Sequence, residues 1–186
     1  MTPASPLVPA PRSHDAAWTR WGTWWLPVGP VLVACYATVM VLTILVLEPL
    51  AAMPGMTSAQ ISAELAAAGV SVAGKVPFLV GWAALGVALS VAAGAVAIRR
   101  RVAPATALAL QLAVLALGAP AYFWAAFDMG MDLADTFDIT GEAHSAVPSV
   151  LYAASGVALA ALAVVGLWRA VATAARSGAT AGHGSP

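Results

Sequence analysis

The stretch FLVGWAALGVALSVAAGAVAIRRRVAPATALALQLAVLALGAPAYFWAAF, residues 78–127, decides what kind of protein this is. It consists of two uncharged apolar runs, 78–98 and 105–127, separated by three arginines and a Val-Ala-Pro turn. Each run has about 20 residues, which at roughly 1.5 Å per residue crosses a hydrocarbon layer roughly 30 Å thick. Inside such a layer every backbone N–H and C=O must find its partner within the segment, so both runs are expected to be helices. The RRRVAP link is too short for anything but an antiparallel hairpin. Pro104 suits the first turn of the second helix, where its missing N–H removes no bond.

Working outward, two more uncharged runs of the same length appear, VGPVLVACYATVMVLTILVL at 28–47 and VPSVLYAASGVALAALAVVGL at 147–167. The 186-residue chain is 61% apolar and 9% charged, where a soluble domain carries about a quarter charged residues. The expected fold is therefore an all-α membrane protein, a bundle of four transmembrane helices over 28–170. Residues 1–27 read as a disordered Pro-rich tail followed by a Trp-rich segment at the interface, and 171–186 as a disordered C-terminal tail. The first run exceeds the roughly 7–15-residue core of a cleaved signal peptide, and EPLAAM offers no clean cleavage site, so it is expected to be retained.

A formal net charge of zero conceals a separation by side. With four spans, Arg12, Arg20, Arg99, Arg100, Arg101, Arg169 and Arg176 share one side with one acid, Asp15, giving +6. The other side holds Lys75 and seven acids, giving −6. Basic residues in short loops are retained in the cytoplasm. Both termini are thus expected inside, with residues 48–77 and 128–146 outside. Trp18, Trp21, Trp24, Trp25 and Trp168 fall at the inner boundary, and Phe78, Trp82, Tyr122, Phe123, Trp124 and Tyr152 toward the outer one, as aromatic belts do. The Ala-, Gly- and Arg-rich composition suits a GC-rich bacterial genome, which makes the plasma membrane the expected location.

The first outer loop carries its own helix signal. Thr57 to Gln60 forms a capping box, and Gly69 is a natural stop, so a short helix should run from Ser58 with Ile61 and Leu65 on one face. Gly86, Ser90 and Gly94 repeat every four residues, a small-residue seam that admits another backbone, from this chain, another membrane protein or a second copy. Pro120 cannot donate to the Ala116 carbonyl, so the third span should kink. Gln111, the most polar residue within a span, is expected to bond a neighbouring helix.

The chemical candidates lie in FDMGMDLADTFDITGEAH, residues 127–144, which holds Asp128, Asp132, Asp135, Asp138 and Glu142. Asp128, Asp132 and Asp135 would share one face if the third helix continued. Anions are disfavoured at a helix carboxyl end, so either the helix stops near Phe127 or a cation offsets the charges. A divalent-cation or copper site would use Asp128, Asp132, Asp135 and His144, with Met53, Met56, Met129 and Met131 as nearby soft atoms. The spans themselves hold no Asp, Glu, His, Lys or Arg, which argues against proton relays, ion pathways and histidine-ligated haem. Cys35, the single cysteine, excludes an internal disulfide. No nucleotide loop, nucleic-acid face, cofactor signature or catalytic triad is present. The expected function is a non-enzymatic accessory or scaffold subunit of a bacterial membrane assembly, with an outward cation-binding component over 128–144 as the alternative.

Overall fold

The computed structural model of the chain describes residues 27–181, and side chains as far as residue 175. The tryptophans at 18–25, together with Arg12, Arg20, His14 and His183, lie outside the described residues. Four helices are long and apolar enough to cross a membrane: Val28–Ala52, Val72–Arg99, Pro104–Phe137 and Val147–Ala175. Within each apolar window only 11–28% is buried inside the chain. Most of that surface therefore faces outward as a continuous apolar area, which water would not tolerate and lipid does.

The first span is α1 (Val28–Leu42), a π-helical turn at Thr43–Leu47, and α2 (Glu48–Ala52). The turn has two causes. The Thr43 hydroxyl donates to the Val39 carbonyl at 2.7 Å. Pro49 has no N–H for the Leu45 carbonyl and would crowd it, so the backbone widens and Glu48 N–H reaches back to Thr43 instead. A short helix α3 (Ser58–Ala67) follows, then α4 (Val72–Arg99), α5 (Pro104–Ala116), α6 (Gly118–Phe137) and α7 (Val147–Ala181). α1 packs mainly on α4 and α5 mainly on α7, while the α4–α5 hairpin joins the two pairs.

Every predicted span lies inside an observed helix, and the helices run past the predicted ends. Hydropathy stops at the first charge, whereas a helix continues wherever its polar side chains find partners. α7 continues to Ala181, into the stretch read from sequence as tail, through a run rich in alanine, the residue with the highest helix propensity. Residues 182–186 lie outside the described residues.

α3 matches its sequence signals in detail. Gln60 N–H donates to Thr57 Oγ1 at 3.3 Å and Thr57 N–H to Gln60 Oε1 at 2.8 Å, a complete capping box. At the other end Gly69 sits at φ +87°, with Gly69 N–H on the Ala66 carbonyl and Val70 N–H on Leu65, which closes the helix as a Schellman motif. Ile61 and Leu65 are 2% and 0% exposed. They join Met40, Ile44, Leu79, Met129 and Leu133 in the core, so α3 roofs one end of the bundle.

The third span breaks at Leu117, between α5 and α6, three residues before Pro120. Ser155 on α7 donates its hydroxyl to the Leu115 carbonyl at 3.0 Å, and the Tyr36 hydroxyl lies 3.3 Å from the same Oγ. The Ser155 hydroxyl thus ties α7, and Tyr36 the first span, to the backbone just before the break. They also leave no room beside it: a Cβ on Gly118 would stand 2.7 Å from Tyr36 Cζ and 2.9 Å from Ser155 Oγ.

Gln111 bonds its neighbour as expected. Ser90 Oγ donates to Gln111 Oε1 at 2.5 Å, and Gln111 Nε2 donates to the Ser90 carbonyl at 3.0 Å. A Cβ on Gly29 would fall 2.5 Å from Gln111 Cδ, so the first span also packs closely against this side chain. The Gly86–Ser90–Gly94 seam is thus occupied by the chain's own helices, with Val33 against Gly86 and Gln111 against Ser90 and Gly94.

Candidate functional site

Residues 48–76 and 128–146 meet at one end of the bundle, the acidic end. α6 does not stop near Phe127. It carries Asp128, Asp132 and Asp135 on to Phe137 and turns at Asp138 in the left-handed region, φ 51°. The cation that offsets the first two acids is a lysine. Lys75, in the first turn of α4, forms ion pairs with Asp128 and, at 2.5 Å, with Asp132 Oδ2. The Lys75 and Asp132 side chains are 18% and 23% exposed, whereas Asp128 is 72% exposed, so the Asp132 pair carries most of the interaction. The ammonium is the partner that makes the Asp132 oxygen tolerable in its enclosed position.

Asp135 and Asp138 are exposed and stand apart from this pair. His144 contributes its backbone N–H, not its ring, to a second cluster. Glu48, turned by the π segment at the end of the first span, accepts that N–H at 2.9 Å, the Ser145 N–H at 3.2 Å, and the Ser145 hydroxyl. Ser145 Oγ also accepts Val147 N–H at 3.3 Å, capping α7. A carboxylate at the amino end of α7 is favoured by the helix dipole. Glu48 therefore ties the 138–146 loop to the first span.

The four residues named as cation ligands, Asp128, Asp132, Asp135 and His144, are not gathered into one set. Among the described residues no group of three or more His, Cys, Asp or Glu side chains is placed to hold a metal ion. Of the nearby methionines, Met129 is 3% exposed in the core and Met53 and Met56 pack against it, while Met131 is exposed at the cleft.

Beside the Glu48 cluster is a cleft of about 340 Å³ between α6, the 138–146 loop and the start of α7. Glu48, Glu142 and His144 line it together with Tyr122, Phe127 and Tyr152. Tyr122 and Tyr152 meet edge to face, centroids 5.5 Å apart. The sequence reading missed Glu48 and this cleft. HSAVPS at 144–149 carries the Ser and Pro of a helix start, which could have marked Ser145 as a cap. No local pattern could have identified a carboxylate almost a hundred residues earlier as its partner. In comparison with known proteins, no protein-family model, curated protein or solved structure matches the chain.

Proposed function

We propose that the chain is a non-enzymatic accessory or scaffold subunit of a bacterial cell-membrane assembly, with both termini cytoplasmic and the acidic end outward. The observation that supports this is how the polar side chains of the spans are bonded. Gln111 holds Ser90, Ser155 holds the Leu115 carbonyl, and Trp82 Nε1 donates to the Ala121 carbonyl at 3.2 Å. Thr38 and Thr43 bond back to their own helix. Each serves helix geometry or helix packing. Transport and proton relay draw instead on ionisable groups within the bundle. Here Glu48, Lys75, Asp128 and Asp132 lie together at one end of the bundle, where Glu48 holds the 138–146 loop and Lys75 joins α4 to α6.

A bundle braced in this way presents a constant, net-negative surface, which suits a subunit that positions a partner. Affinity purification of the tagged full chain from native membranes in mild detergent tests the proposal. The expected result is a second membrane protein in fixed stoichiometry. Recovery of the chain alone, under conditions that keep other membrane complexes intact, would overturn it.

A further inference from the structure

The cleft at the acidic end combines three features that point to one class of ligand. Its walls are aromatic, with Tyr122, Phe127 and Tyr152 offering ring surface. Its charged lining is acidic, from Glu48 and Glu142, and no Lys or Arg among the described residues lines it. Glu48 is half-buried, forms no ion pair among the described residues, and takes its hydrogen bonds from two backbone N–H groups and a hydroxyl, so no full positive charge balances it.

Tyr122 adds an uncommitted polar atom to the cleft. It is 5% exposed, it lines the cleft, and its hydroxyl makes no hydrogen bond among the described residues. The ring is buried while the oxygen itself is open to the cleft, where a bound group can take its hydrogen bond: the one enclosed side-chain oxygen without a hydrogen bond among the described residues is Asp132 Oδ2. A ligand carrying a positive charge and an N–H would satisfy the phenol oxygen, the carboxylates and the rings at once.

We propose that this cleft binds a primary organic ammonium group, either a free small amine or the headgroup amine of a phospholipid at the end of the spans. A bare metal ion fits less well, because about 340 Å³ exceeds one ion and no three His, Cys, Asp or Glu side chains converge among the described residues. Pockets from about 300 Å³ upward, mostly apolar with a few placed polar groups, are the usual form of small-molecule sites. The inference does not rest on the scaffold reading, and the partner experiment above can fail without affecting it.

The test is calorimetry on the full chain in nanodiscs of phosphatidylglycerol, titrated with ethylammonium and, separately, tetramethylammonium chloride at constant ionic strength. Ethylammonium should bind saturably and more tightly than tetramethylammonium, which has no N–H for Tyr122. Tyr122→Phe should weaken ethylammonium roughly 2- to 10-fold and remove most of that preference. Glu142→Gln, at an exposed side chain, should weaken both ions and keeps the test decisive if the first variant loosens the bundle. Repeating the titration with phosphatidylethanolamine in the nanodisc separates the sources. Lost ethylammonium binding identifies the headgroup as the occupant, and unchanged binding identifies a free amine. No saturable binding in phosphatidylglycerol, or equal binding by wild type and both variants, would overturn the proposal.

Discussion

Glu48 lies in the last turns of the first span and Ser145 just before the fourth, and the carboxylate of one accepts both the backbone N–H, at 3.2 Å, and the hydroxyl of the other. This contact fixes the last loop to the far end of the chain's first helix. Glu48→Ala leaves the His144 and Ser145 N–H groups without their acceptor and removes the negative charge from the start of α7. The expected loss is about 1–2 kcal/mol of stability, lessened by water at the exposed His144 side. Hydrogen exchange should rise over residues 139–147 and stay low in α4. Unchanged exchange in the loop would mean that Glu48 does not hold it.

Lys75 is expected to matter through Asp132 much more than through Asp128. Asp128→Asn, at a carboxylate that is 72% exposed, should cost about 0.5 kcal/mol or less. Lys75→Ala leaves the enclosed Asp132 carboxylate without its cation and should cost roughly 1–3 kcal/mol. Adding Asp132→Asn to Lys75→Ala should recover part of that loss, because the stranded charge goes with it. Melting midpoints of the four proteins in one detergent measure this. Equal losses for Asp128→Asn and Lys75→Ala, or no recovery in the double variant, would contradict the unequal burial.

Gly118 and Gly156 make a matched pair. A methyl at 118 would meet Tyr36 and Ser155 at under 3 Å, while a Cβ at Gly156 has nothing within 4 Å. Gly118→Ala should destabilise by about 1–3 kcal/mol through overpacking. Gly156→Ala should be neutral, or stabilising by up to about 1 kcal/mol through helix propensity. Thermal melts of the two variants side by side give the answer, and a neutral Gly118→Ala would show that the crossing at the third-span break is loose.

The proposed orientation predicts which residues an impermeant thiol reagent reaches in intact cells. With Cys35 replaced, Ser58→Cys at the start of α3 should label from outside, and Ser177→Cys should label only after the membrane is opened. Labelling of Ser177→Cys in sealed cells would reverse the topology and place the cleft in the cytoplasm.

Local pattern was sufficient for the helices themselves. Four uncharged runs specify four spans because a backbone in lipid has no other way to satisfy its polar groups. Thr57, Gln60 and Gly69 specify α3 because caps act within one turn. Pro120 announced a bend for the same reason, since the bond it lacks is four residues away. Beyond that range the sequence was silent. It presented Asp128, Asp132 and Asp135 as a charged face in need of a cation, and only the packing of α4 against α6 showed that Lys75 meets two of the three. It presented Glu48 as the first acid after an apolar run. The π turn that rotates it, the Ser145 it caps, and the cleft it lines with Tyr122 depend on contacts between residues far apart in sequence. Those contacts are decided by which helices pack together, and the period of a single helix carries no record of that.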